Sequence, residues 1–272
     1  MEGNMDNTIN EIAFANTEEQ TKKLHRWRLC PIGMHYVKEH LEHIPPSKKH
    51  PEGEVVVRHA HCAKNPLGKN KHEIRDILSL SELMIITKSR FSDLKGPPNA
   101  HVLKYPRADE FDAQIRGWVL YWNQVFEAKD QLDPNLVKAL IASESSFDPN
   151  VINPHNPKKI GPARGLMQLT DETLRIINGH EDGLREHFIH LSHTDAVEPS
   201  ANICAGTRWI FLKKACAKER YAKINPSHIV TWDDAVAEYK GVLSGILDKN
   251  NPHPDPEDKM KIFRSIYEKF KE

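Results

Sequence analysis

The sequence predicts a mainly α domain preceded by a small α+β module. Two observations carry this. From Glu110 onward, apolar residues recur at helical spacing, with Phe111, Ile115, Trp118, Val119, Trp122 and Phe126 forming the first stripe. Residues 25 to about 72 differ in character. Glu54-Val55-Val56-Val57-Arg58 is a β-branched run suited to a strand, and Pro45-Pro46 and Pro51-Glu52-Gly53 supply turns. Gly96-Pro97-Pro98-Asn99 and Tyr105-Pro106 read as a linker. The expected division is a polar tail over 1–24, a basic, His-rich module over 25–108 and a helical domain over 109–272.

Taken in order, Glu73 to Lys88 reads as helix followed by strand or loop. The best-defined helix starts at Asp133, a capping residue, with Pro134 at the first helical position. Asp148-Pro149 is its expected end, because the residue before a proline disfavours helical geometry. After a loop through Asn153-Pro154-His155-Asn156-Pro157, Thr170 caps a helix with Asp171 and Glu172 in its first turn. Asn178-Gly179 is its expected stop. Glu181 to Asp195 reads as loop with a short helix. Glu198-Pro199 opens a long helix, Thr231 caps another that runs to Gly241, and Met260 to Phe270 closes the chain as an amphipathic helix.

Composition excludes several classes. The 272 residues hold 38 Lys/Arg and 38 Asp/Glu, so the formal net charge is zero and a whole-chain nucleic-acid binder is not expected. No apolar run reaches the roughly 20 residues a membrane helix needs. Met1 to Gln20 is polar and lacks the charged start and apolar core of a secretory signal. Synthesis in the cytoplasm and export by another route are the corresponding expectation. Between Thr21 and His72, eleven Lys/Arg stand against four Asp/Glu, and eight of the sixteen histidines lie there. That surplus suits either an anionic polymer or a solvated basic face.

Cys204 and Cys216, about 18 Å apart along one helix, are too distant to pair. Cys30 and Cys62 can pair, bind metal or stay free. Cys30, His35, His59, His61 and Cys62 offer the residue types of a structural zinc site. No Cys-x-x-Cys spacing supports it, so surface histidines and buried thiols fit better, and metal content stays open.

Glu144 lies three residues after Ile141 and four after Leu140, on the apolar stripe of the Asp133 helix. A carboxylate there is costly to ionise unless it is paired. Burial and the negative end of the helix dipole both favour the neutral acid, which is the form that protonates a glycosidic oxygen. A structural Glu paired with an Arg is the competing reading.

Four stretches extend this reading: Ala139-Leu140-Ile141-Ala142-Ser143-Glu144-Ser145-Ser146-Phe147, Gly165-Leu166-Met167-Gln168-Leu169-Thr170, Glu198-Pro199-Ser200-Ala201-Asn202-Ile203-Cys204-Ala205-Gly206 and Ala235-Val236-Ala237-Glu238-Tyr239-Lys240-Gly241. In this order they resemble the lytic transglycosylase domain of the goose-type lysozyme superfamily, over about Glu110 to Asn250. The resemblance implies a lysozyme-like helical fold with a groove for peptidoglycan glycan strands. It implies that Glu144 is the catalytic acid/base and that Ser145, Gly165, Met167, Gln168, Tyr239 and Lys240 line or support the substrate site. Tyr239 is the tyrosine that approaches the catalytic glutamate, and Asn202 and Gly206 are packing positions. No cofactor is implied.

Two positions depart from the family pattern. Ser146 stands where the family has glycine, and Lys240 where it has asparagine. A cation at 240 is expected to meet lactyl or peptide carboxylates of the substrate. The implied activity is cleavage between N-acetylmuramic acid (MurNAc) and N-acetylglucosamine (GlcNAc) with formation of 1,6-anhydroMurNAc ends. Hydrolysis by a goose-type muramidase is the close rival, with Asp182 or Asp195 positioning water, and a non-catalytic glycan-binding module is the third reading. Action on the cell wall without a classical signal suits an exported antibacterial effector or a phage enzyme. The first would bring an inhibitor protein and a secretion-apparatus component as partners.

Overall fold

The computed structural model describes residues 27–66, 76–98, 105–181, 183–184, 186–248 and 256–270. The expected polar tail over 1–24 and Asp182 lie outside them.

The chain first makes a long bent hairpin. Strand β1 (Met34–Val37) pairs antiparallel with β4 (His61–Lys64), and β2 (His40–Ile44) with β3 (Glu54–Arg58). Cys30 and Cys62 form a disulfide with a Cα–Cα distance of 5.7 Å, tying the approach to β1 onto β4. This removes the zinc reading: metal needs thiolates, and both thiols are consumed. The histidines do not converge either. His35 Nδ1 meets Asn65 Oδ1 at 3.0 Å, His59 Nδ1 meets Glu39 at 2.9 Å, and His61 Nδ1 bonds the His59 carbonyl at 2.9 Å. Among the described residues no cluster of three His, Cys, Asp or Glu is placed to hold a metal.

The disulfide closes a loop between residues 32 apart in sequence. Its removal is expected to cost the hairpin about 3 kcal/mol, roughly a hundredfold in opening. Amide exchange in β1 and β4 of Cys30→Ser should rise by that factor. Unchanged exchange would mean that other contacts hold the hairpin.

Next come strand β5 (Ile77–Ser79) and helix α1 (Leu80–Arg90). The order expected from sequence was helix, then strand or loop. Ser79 decides it, accepting from the Glu82 amide at 3.4 Å and so starting the helix there. Ile77 and Leu78 are freed to form a buried strand.

Helix α2 (Asp112–Val125), helix α3 (Pro134–Ser145), the small sheet β6 (Ile152–Asn153), β7 (Ala163–Arg164) and β8 (Leu169–Thr170), and helix α4 (Asp171–Ile177) follow. Strand β9 (Phe188–His190) pairs parallel with β5, where a loop with a short helix was expected. The remaining helices are α5 (Pro199–Ile224), α6 (Trp232–Tyr239), α7 (Leu243–Leu247) and α8 (Pro256–Glu268). Among the described residues no helix is long and apolar enough to cross a membrane.

The core centres on α2, α3 and α5. Trp118 and Trp122 are fully buried between them. Each indole N–H is satisfied, by Ser200 Oγ at 2.8 Å and the Cys204 carbonyl at 3.0 Å. Lys138 of α3 is also fully buried, and its ammonium donates to Asp112 at 2.7 Å. The same core takes in Trp27, Leu78, Leu83, Ile86 and Phe91. Arg28 ties these segments together, donating to both oxygens of Glu82 at 2.7 and 2.9 Å and pairing with Asp76, which accepts from His187 Nδ1 at 2.6 Å. Residues 27–28 and 76–91 therefore sit inside the helical body, on the far side of the boundary expected at 108. The hairpin is anchored to this body through β1, where the Tyr36 carbonyl accepts from Ser79 Oγ at 2.9 Å.

Candidate active site

Helix α3 presents Glu144 at its last turn. The Asp133 side chain accepts from the Asn135 amide at 2.9 Å, as the sequence led one to expect. The helix ends earlier than expected, at Ser145 rather than Asp148. Ser146 (φ 52°) and Phe147 (φ 65°) turn left-handed, and this reversal drives Phe147 into the core against Tyr105, with ring centroids 5.5 Å apart. Non-glycine residues pay about 1–2 kcal/mol for that conformation. Ser146→Gly is thus expected to raise stability by about 0.5–1 kcal/mol, net of glycine's entropy, or about 2 °C in Tm. A fall in Tm would show that the Ser146 side chain contributes contacts that outweigh the strain.

The Glu144 side chain is one-fifth exposed. Its Oε1 accepts from Lys240 Nζ at 2.5 Å, and Lys240 also donates to Ser143 Oγ at 3.0 Å. The solitary, desolvated acid expected from the apolar stripe is therefore corrected: the carboxylate has an ammonium partner. Lys240, expected to reach for substrate carboxylates, is 9 % exposed and committed to Glu144. Among the described residues Glu144 Oε2 carries no hydrogen bond.

Beside Glu144 lies the turn from Gly165 to Gln168, whose backbone is clamped by side chains from three helices. Ser145 of α3 donates to the Leu166 carbonyl at 2.9 Å and to Ile141 O at 3.2 Å. Asn202 of α5 accepts from the Met167 amide at 2.7 Å and donates to Arg164 O at 3.1 Å and Ala196 O at 2.6 Å. Tyr239 of α6 donates to the Met167 carbonyl at 2.5 Å. The tyrosine expected to approach Glu144 thus commits its hydroxyl to the turn. Burial pushes the phenol well above its ordinary range, and the nearby Glu144 carboxylate pushes it the same way.

Two glycines make the turn geometrically accessible. Gly165 has φ +76°, and a Cβ there would lie 2.3 Å from Asn202 Nδ2 and 2.8 Å from the Ala196 carbonyl. A Cβ on Gly206 would lie 2.3 Å from Met167 Sδ, so the Met167 side chain packs directly on the α5 backbone. Met167 is fully buried and Ser145 nearly so, so neither side chain is open to a ligand. Gln168, with φ 50°, donates from Nε2 to its own turn, to Gly165 O at 2.9 Å and Val151 O at 3.2 Å. Asp195 caps the turn before α5, accepting from the Ser192 amide at 2.8 Å.

The structure thus brings all the sequence-predicted site residues together but divides their work. Glu144 and Lys240 form the ionic centre. Ser145, Asn202 and Tyr239 hold backbone, Gly165 lets that backbone approach, Met167 packs under it, and Gln168 stiffens it. Sequence reasoning missed Ser143, which receives the second Lys240 hydrogen bond. Its position next to Glu144 was the available signal.

Residues 122–224 match the family model described as the transglycosylase SLT domain. No curated protein and no solved structure matches the chain. The matched span holds Glu144, the 165–168 turn, Asn202 and Gly206, and stops before Tyr239 and Lys240. The matched segment is thus similar to a transglycosylase SLT domain, and it places a helical body around a carboxylate at a helix end.

Proposed function

We propose that the chain cleaves the β-1,4 bond between MurNAc and GlcNAc as a lytic transglycosylase, with Glu144 as acid and then base. The observation that carries this is the Glu144 carboxyl, half engaged and half open. Lys240 fixes Oε1, and Oε2 faces no partner among the described residues.

The first step begins once Glu144 has taken up a proton from solvent on Oε2, with Oε1 still accepting from Lys240, and that proton passes to the bridging oxygen. The C1–O bond of MurNAc breaks, and GlcNAc leaves as the alcohol. Positive charge at C1 is met by the sugar's own acetamido oxygen, in the manner of substrate-assisted glycosidases. The MurNAc 6-hydroxyl then attacks C1 and gives its proton back to Glu144. No water is consumed, so the new end is a 1,6-anhydro ring. The clamped 165–168 turn supplies a rigid wall for the strand, since its carbonyls are held by Ser145 and Tyr239 rather than left free to move.

The site of action we infer is the cell wall outside the cytoplasm, reached by specialised secretion as an antibacterial effector would be. The Cys30–Cys62 disulfide supports an oxidising destination. An inhibitor protein and a secretion component would be the partners of that role.

The test is mass spectrometry of products released from purified peptidoglycan. Products lighter by one water than the reducing-end muropeptides support transglycosylation. Reducing ends alone would assign the reaction to hydrolysis, and absence of any release would assign the domain to glycan binding.

Lys240 gives a separate prediction. Its hydrogen bond to Oε1 fixes the carboxyl and so aims Oε2, and removing the ammonium frees the Glu144 side chain to turn. Lys240→Met is expected to lower kcat by about ten- to a hundredfold with KM little changed, as a misplaced reacting group does. An unchanged kcat would mean that Lys240 does not act through Glu144.

A further inference from the structure

Strand β3, Glu54-Val55-Val56-Val57-Arg58, is paired by β2 on one edge, and among the described residues no strand covers the other. A two-stranded ribbon is marginal in water. This one also leaves Leu41, Val55 and Val57 more than half exposed, at 63 %, 54 % and 52 %. The register places Leu41 opposite Val57 and His43 opposite Val55, so these three aliphatic side chains share one face. Natural open edges are guarded by a central charge, a proline or a bulge. Strand β3 has none of these, and its charges stand at its two ends with opposite sign.

That arrangement is self-complementary. About a two-fold axis at Val56, an antiparallel second copy sets Glu54 against the partner's Arg58 and Val55 against the partner's Val57. Arg58 then meets the partner's Glu54, and Val56 meets its own copy. The same operation on β2 would set Glu42 against itself, which repels. We propose that β3 pairs with β3 of a second copy of this chain, making a four-stranded sheet in the order β2, β3, β3, β2 and a symmetric dimer. The exposed aliphatic side chains then form two continuous rows, each running Leu41, Val57, the partner's Val55 and the partner's His43. The present partners of the end charges, His50 for Glu54 and Glu42 for Arg58, are exposed surface pairs and offer little resistance.

The test is sedimentation of the full chain over a hundredfold concentration range. Wild type is expected to dimerise. Glu54→Arg alone and Arg58→Glu alone each turn two attractive cross-strand pairs into two repulsive ones, and each should weaken the dimer by about tenfold or more. Mixed in equal amounts, the two variants should form a heterodimer, because each residue 54 then faces an opposite charge at position 58. Amide exchange of β2 checks that the hairpin remains folded. Glu54→Arg leaves the Arg58–Glu42 pair in place and decides alone if the other variant loses the hairpin. A monomer at all concentrations overturns the proposal, as does a dimer indifferent to these charges or two folded variants that fail to associate when mixed.

Discussion

Glu144→Gln is expected to lower the rate of glycan cleavage by a factor of about 10²–10⁴, the usual contribution of a placed acid–base group. The amide keeps the shape of the side chain and its carbonyl can still accept from Lys240, but it has no acidic proton to give the bridging oxygen. The same change strips Lys240 of its counter-charge, and a 9 % exposed ammonium left with neutral acceptors should cost about 1–3 kcal/mol. The two losses separate in the double variant. Adding Lys240→Met to Glu144→Gln removes the stranded ammonium, so stability should recover while cleavage stays absent. Activity in Glu144→Gln within a few-fold of wild type would overturn the assignment of Glu144, whatever the stability data show.

Gly165→Ala is expected to destabilise the domain by about 3 kcal/mol, combining about 1–2 for a left-handed non-glycine residue with 1–3 for overpacking. That is a fall of about 10 °C in Tm for a domain of this size. The added methyl would meet Asn202 and the Ala196 carbonyl together. Asn202 cannot yield without releasing the Met167 amide, and the carbonyl belongs to the turn that opens α5. Cleavage should fall further than folding does, because the displaced turn is the wall beside Glu144. A Tm within about 2 °C of wild type would mean that the turn is looser than its hydrogen bonds imply.

The parts of this architecture legible in sequence are those whose causes lie within a few residues. The Asp133 cap with Pro134, the Thr170 cap with its stop at Asn178-Gly179, and the Thr231 cap, here a full capping box with Asp234, are all local devices. Glu144 was legible because a carboxylate on an apolar stripe is anomalous wherever the helix packs. The illegible parts depend on distant partners. Ile77–Ser79 is a strand because Phe188–His190 runs beside it, and nothing near residue 77 announces that. Lys240 and Glu144 meet from 96 residues apart, so their charges read as two independent features. The hydroxyl of Tyr239 goes to the Met167 carbonyl, an acceptor 72 residues away that the sequence does not announce, since a phenol donates equally well to a carbonyl or a carboxylate. The helix end was misplaced because Phe147 fits the helical spacing and is buried, yet gets there through a reversed backbone.

The pairing of Lys240 with Glu144 also sets what the site looks like from a distance. A free carboxylate at this position would repel an anionic polymer over about a Debye length. A tight ion pair is a dipole, whose field fades much faster than that of a single charge. An approaching glycan strand therefore meets a centre that is electrically quiet until contact, and its capture should depend little on ionic strength.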